Sequence, residues 1–136
     1  PAAAEEAEAL GLTSGDKVHV MEASFHANGA PLVSSQSYFP AERLPGLIDA
    51  LRIEPSITKA LADLGVTDYR RASTRVTDET ATGPLARHLH VAEGAPLMRT
   101  KSLNVDLANT PVEFGRSWFA ADRVEFVVEE TGFNHG

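Results

Sequence analysis

The sequence predicts an α+β fold: an antiparallel β-sheet with flanking helices, built around two pseudo-repeated hairpins. Three observations point there. Leu10-Gly11-Leu12-Thr13-Ser14-Gly15 resembles Leu89-His90-Val91-Ala92-Glu93-Gly94 at an offset of 79, and each segment runs into a stretch of alternating character. Each stretch then meets a turn, Asn28-Gly29-Ala30-Pro31 or Ala108-Asn109-Thr110-Pro111, and a second alternating stretch follows. Both units end alike, Ser37-Tyr38-Phe39-Pro40-Ala41-Glu42-Arg43-Leu44 beside Ser117-Trp118-Phe119-Ala120-Ala121-Asp122-Arg123-Val124. Two copies make a pseudo-symmetric domain, not a solenoid.

Taken in order, residues 1–8 are rich in Ala and Glu and read as a helix or a linker running into one. Residues 18–27 and 32–40 form the first hairpin, because Asn-Gly supplies the positive φ of a tight turn. Pro31 and Pro111 each open a return strand, where a missing N–H does no harm. Pro40-Ala41-Glu42 opens a short helix running through Leu47, Ile48 and Leu51. Ser56 caps a second helix that buries Ile57, Ala60, Leu61 and Leu64, with Gly65 as its C′ residue. Residues 68–78 form a strand, 84–89 a third helix, 97–107 and 112–120 the second hairpin, and Val124 to Val128 a last strand.

Composition narrows the function classes. With 136 residues, 43% of them hydrophobic, one domain can bury a full core without a staple. No run is long and apolar enough for a helical membrane span. The absence of Cys removes disulfides, thiolate ligands and Cys nucleophiles, and fits a reducing compartment. Twelve Lys and Arg against 19 Asp and Glu give a net charge of −7, which repels nucleic acid. Nine of the twelve basic residues are Arg, whose forked donors grip small anions. The start at Pro1, with no signal-peptide pattern, suggests a piece of a longer protein.

Period-two alternation places Arg71, Ser73 and Arg75 on one face of their strand, an arrangement that suits an anion cradle and equally a solvated face paired with carboxylates. Ser56 and Thr58 begin a helix, where free N–H groups and hydroxyls favour an anion; simple capping is the commoner use. On the second hairpin Arg116 and Trp118 share a face with Phe114. Glu113 shares the other with Phe119, so Glu113 and Arg116 line one cleft only if the strand bulges, for example at Gly115. Trp118 or Tyr38 can wall a pocket; ordinary core packing is the alternative. The recurring Glu42-Arg43 and Asp122-Arg123 pairs read as braces at strand corners. Five scattered His residues form no ligand pattern, so neither metal nor cofactor is expected. No nucleophile–base set, phosphate loop or dinucleotide fingerprint is present, and no catalytic residue is assigned.

The repeat, read with Tyr38-Phe39-Pro40-Ala41-Glu42-Arg43-Leu44-Pro45-Gly46-Leu47, Ser56-Ile57-Thr58, Asp68-Tyr69-Arg70-Arg71 and Asn104-Val105-Asp106, resembles the UTRA domain, the effector-binding half of HutC-subfamily GntR transcription regulators. Pro111-Val112-Glu113-Phe114-Gly115-Arg116 and Trp118-Phe119-Ala120-Ala121-Asp122-Arg123-Val124-Glu125 look like its PhnF branch, named for phosphonate metabolism. The resemblance covers about residues 8–130. It implies a chorismate-lyase-like fold, with residues 1–136 as one small-molecule-sensing domain. It further implies a homodimer, cytoplasmic and without membrane contact, that meets DNA only through an N-terminal winged helix absent from this chain. Relatives that bind phosphosugars place two Arg where Ala23 and Phe25 stand here, and a Glu where Ser35 stands. Ser56 and Glu113 are retained. An anionic effector, a phosphonate or phosphorylated metabolite, would then be held by Arg71, Arg75 or Arg116, with Ser56, Thr58, Glu113, Trp118 and Tyr38 around it. The alternatives are a chorismate-lyase-like enzyme acting on a small aromatic acid, and a bare dimerisation module.

Overall fold

The computed structural model describes residues 1–127. Five strands, β1 (Val18–Ala27), β2 (Ala30–Pro40), β3 (Tyr69–Thr80), β4 (Pro96–Asp106) and β5 (Pro111–Ala120), form one antiparallel sheet in the order β1-β2-β5-β4-β3. The helices are short: α1 (Ala4–Leu10), α2 (Leu47–Ile53), α3 (Ile57–Asp63) and α4 (Gly83–His88). β2 and β5 meet at the sheet centre with Gln36 opposite Arg116, two positions that are 80 apart. A local two-fold therefore runs through that pair and exchanges β1 with β4, β2 with β5, and α1 with α4.

The repeat extends to details. In the first hairpin, Asn28 (φ 52°) and Gly29 (φ 79°) make the two-residue turn between Ala27 and Ala30. In the second, Asn109 takes φ 63°, and Asp106 Oδ1 accepts from the Ala108 and Thr110 N–H groups, both at 2.9 Å. The pairing slips by one residue just after each proline. Pro31 faces His26 while Val33 faces Phe25, and Pro111 faces Val105 while Glu113 faces Asn104. Leu32 and Val112 are the extra residues of two equivalent bulges.

Strand pairing sorts the side chains onto two faces. The front face carries Glu22, Ser24, Ser34, Gln36, Tyr38, Leu97, Lys101, Leu103, Phe114, Arg116 and Trp118, and is covered in part by α1 and α4. Leu10 of α1 packs on Tyr38 and Phe114; Leu85 and Leu89 from the α4 region pack around Leu97 and Trp118. The back face carries Ser35, Phe39, Ser102, Asn104, Glu113 and Ser117, with α2 and α3 on its lower half. There Phe39, Leu44, Leu47, Leu61 and Val112 are fully buried, at about 2 kcal/mol for each leucine removed from water. No helix among the described residues is long and apolar enough to cross a membrane.

Several expectations are corrected. The Pro40-Ala41-Glu42 segment opens no helix. Residues 41–43 make a turn closed by the Leu44 N–H on the Pro40 carbonyl at 3.2 Å, and α2 starts only at Leu47. Pro45 disfavours helical backbone at Leu44, and Gly46 at φ 81° resets the chain direction. Residues 124–127 form no strand, and Val128 lies outside the described residues. The corner arginines brace something other than their neighbouring acids. Arg43 pairs with Asp106 and donates to the Pro111 carbonyl at 3.0 Å, in the second hairpin's turn. Arg123 donates to the Pro31 carbonyl at 2.9 Å, in the first hairpin's turn. Asp122 approaches Arg123 only to 3.8 Å. Each repeat thus ties its end to the other repeat's turn, a long-range relation that adjacency in sequence conceals.

Candidate functional site

The eight residues singled out from sequence divide between the two faces. Ser56, Thr58, Arg71 and Glu113 lie on the back face or at the α3 start beside it, whereas Tyr38, Arg75, Arg116 and Trp118 lie on the front. Two register facts cause the split. Arg71 faces Asn104 and Ser73 faces Leu103, so Ala72 is a bulge residue and Arg71 points opposite to Ser73 and Arg75. The β5 bulge falls at Val112, before Glu113, so pairing from Glu113 through Arg116 is regular and these two side chains oppose each other. The expected single face for Arg71, Ser73 and Arg75 is overturned, and the condition for a cleft shared by Glu113 and Arg116, a bulge between them, is not met.

On the back face a hydrogen-bonded row crosses three strands. Arg71 Nε donates to Asn104 Oδ1 at 2.7 Å, and Asn104 Nδ2 donates to Glu113 Oε1 at 3.0 Å. Asn104 is buried, and the two bonds satisfy both ends of its amide. Arg71 Nη1 donates to Thr74 Oγ1 at 3.0 Å, which leaves Nη2 without a partner among the described residues on an exposed side chain. Beside this row, Tyr69 precedes Arg71 by one same-face step on β3, and its hydroxyl shares a 2.8 Å hydrogen bond with Thr58 Oγ1. Ser56 caps α3 by accepting the Lys59 N–H at 3.3 Å, so its own O–H is available as a donor. The Thr58–Tyr69 contact is thus the observed link between α3 and the strand that carries the Arg71–Asn104–Glu113 row. Asn104 and Tyr69 were not among the residues chosen from sequence. Counting the hairpin register from the turn would set Asn104 opposite Val112, and only the bulge at Val112 brings it opposite Glu113.

The front-face set does structural work. Arg116 is deeply placed and donates to Glu5 Oε1 at 3.0 Å through Nε, to Glu6 Oε2 at 3.1 Å through Nη2 and to the Tyr38 hydroxyl at 3.1 Å through Nη1. Burial alone would lower the Arg116 pKa; the Glu5 hydrogen bond and the Glu6 and Glu5 charges outweigh it and move it upward. Lys101, through its hydrogen bond, and then Arg116 hold the Glu5 carboxyl below its ordinary value. Burial moves the Tyr38 hydroxyl up, against the Arg116 charge. Trp118 donates its indole N–H to Glu79 Oε2 at 2.6 Å. Arg75 borders a hollow beside α1 with Lys101, Leu103 and Phe114. Among the described residues no group of three His, Asp or Glu side chains is placed to hold a metal.

The UTRA domain family model matches residues 1–125. "Uncharacterized HTH-type transcriptional regulator RB1450" of Rhizobium meliloti (strain 1021) is 38% identical over 129 residues, covering 95% of this chain and 53% of that protein. "Probable transcriptional regulator PhnF" of Escherichia coli (strain K12) is 28% identical over 139 residues, covering 95% and 54%. The chain therefore spans about half the length of the curated relatives it matches. Among solved structures, the PhnF C-terminal domain superposes with a TM-score of 0.78 at 26% identity, over 96% of this chain and 82% of that one. The C-terminal domain of Yurk from Bacillus subtilis superposes with a TM-score of 0.86 at 17% identity, over 95% and 88%, which shows a shared fold. The α+β architecture with two related hairpins, the family match along nearly all of its length and relatives that are transcriptional regulators agree: this chain belongs to the UTRA domain family.

Proposed function

We propose that this chain is the effector-sensing part of a dimeric bacterial transcriptional regulator, cytoplasmic and without catalytic activity. On this reading it binds a small anion, a phosphonate or phosphorylated metabolite, on the back face of its sheet. The observation that carries the ligand assignment is the Arg71–Asn104–Glu113 row beside the Thr58–Tyr69 contact. Arg71 is oriented by two hydrogen bonds and keeps its outer nitrogen for a ligand oxygen, the geometry in which a guanidinium holds a phosphoryl group. The Ser56 and Thr58 hydroxyls supply further donors across the α3 junction, and Glu113 sets a limit on how much negative charge the ligand carries toward β5. An anion there would tie α3 to β3. Favouring one position of α2 and α3 would shift the balance between arrangements of an attached winged helix and so its hold on DNA.

Calorimetric titration of the chain with methylphosphonate, ethylphosphonate and inorganic phosphate tests this. Saturable heat is expected with at least one of them, and Arg71→Ala is expected to weaken that binding about tenfold, the size of one charged hydrogen bond. No heat with any of the three, together with heat from an uncharged sugar such as glucose, would remove the anion reading. Binding indifferent to Arg71→Ala would remove the site.

A further inference from the structure

The local two-fold places two hollows on the front face, one beside α1 and one beside α4, and their chemistry differs. Equivalent positions are 79 apart between the outer strands (Val18 and Leu97) and 80 apart between the central ones (Gln36 and Arg116). Beside α1 the hollow holds about 440 Å³; it is floored by Leu103 and Phe114, and Lys101 is already paired with Glu5. Beside α4 the positions of Leu103, Phe114, Lys101 and Arg116 are taken by Ser24, Ser34, Glu22 and Gln36. Pro84 and Leu85 of α4 stand where α1 has Glu5 and Glu6. The result is a cavity of about 520 Å³ lined by Glu22, Ser24, Ser34, Gln36, His88 and Trp118.

From this geometry we infer a second ligand site on the front face, beside α4, that takes a small organic cation such as a quaternary or primary ammonium. The carboxylate of Glu22 has no ion pair or hydrogen bond among the described residues, and no Lys or Arg lines the cavity. Trp118 borders it as an aromatic wall. Its N–H is pinned to Glu79, on β3, so the ring is held in place before a ligand arrives. An aromatic wall together with a free carboxylate is the pairing that recognises an ammonium, through the ring quadrupole and direct charge attraction. The Ser34 hydroxyl offers an oxygen to the rest of the ligand, while the Gln36 amide oxygen already accepts from the Tyr38 hydroxyl at 2.9 Å. Ser24 Oγ lies 3.3 Å from His88 Nε2, which ties α4 to β1 across the cavity floor. This site lies on the opposite face from the Arg71 row and stands independently of it.

Trp118 is the one tryptophan of the chain, so its emission reports on this cavity directly. We expect choline chloride to change that emission saturably, and its neutral isostere 3,3-dimethylbutan-1-ol and sodium chloride at equal ionic strength to leave it unchanged. Glu22→Gln, at an exposed carboxylate with no partner among the described residues, is expected to weaken choline about tenfold. Ser34→Phe, which copies the Phe114 position, is expected to fill the cavity and abolish the response. No saturable change up to about 50 mM choline, an equal response to the isostere, or an affinity untouched by Glu22→Gln would each overturn the assignment.

Discussion

Arg116→Ala is expected to lower the stability of the chain by about 4 kcal/mol. Arg116 joins the centre of the sheet to the first turn of α1. Its side chain is only 15% exposed and that of its partner Glu6 only 10%, so the pair is largely out of water. Removing the guanidinium leaves the Glu6 carboxylate buried without its counter-charge, and that uncompensated charge dominates the loss. The Glu5 contact adds little, because that carboxylate is 46% exposed and screened by solvent. The guanidinium carbon also stands 5.3 Å from the ring centres of both Tyr38 and Phe114, a stacking contact that alanine forfeits. Urea unfolding followed by Trp118 emission measures the change, and a loss below about 1 kcal/mol would show that Glu6 finds water or another donor.

Glu5 of this cluster and Asp106 in the second hairpin's turn set an acid limit. The Glu5 pKa is depressed in the folded chain by Lys101 and Arg116, and that of Asp106 by the Thr110 N–H and then by Arg43. A depressed carboxylate contributes stability that is complete above its unfolded-state pKa, about 4 for either residue, and is lost as pH falls through the lower folded value. Urea midpoints are therefore expected to fall as pH is lowered below about 4, and Arg116→Ala is expected to flatten the Glu5 share of that slope.

Arg123→Ala is the second substitution with a large expected cost, about 2–3 kcal/mol. One side chain donates to three backbone carbonyls, those of Pro31 at 2.9 Å, Leu89 at 2.7 Å and His90 at 2.8 Å. These belong to the start of β2 and to the end of α4, so the guanidinium holds a strand corner, a hairpin turn and a helix end together. Pro31 is fully buried, so its carbonyl has little recourse to water once the donor is gone. Arg123→Lys supplies one compact ammonium in place of the planar fork and is expected to recover less than half of the loss. Thermal unfolding of the two variants against the parent chain decides the point; equal stability of all three would mean that the carbonyls are solvated in the folded state.

Much of the architecture was legible in the residues. The repeated hairpin shows because side-chain alternation and turn chemistry are local: Asn28-Gly29 demands positive φ wherever it occurs, and Ser56 followed by Ile57, Ala60 and Leu61 marks a capped amphipathic helix. The stop before α2 was missed, although Pro45-Gly46 carries that information locally. The candidate site was less legible. Strict period-two counting placed Arg71 with Arg75. One unpaired residue, Ala72, inverts everything before it relative to everything after it. A bulge depends on what the partner strand offers, and β4 lies some 30 residues further along the chain.

The amino-acid order alone determined the class of fold, the duplication and the acidic, cysteine-free character of this protein, because composition, turn signals and periodicity depend on near neighbours. Only the tertiary structure decided which of the basic residues are spent as structure and which keep an open donor. Arg116, Arg43 and Arg123 are all claimed by partners more than 30 positions away, while Arg71 Nη2 has no partner among the described residues. A guanidinium looks the same in a sequence whether its donors are filled or open. The three-dimensional packing of α1, the hairpin turns and the β3 bulge settles it.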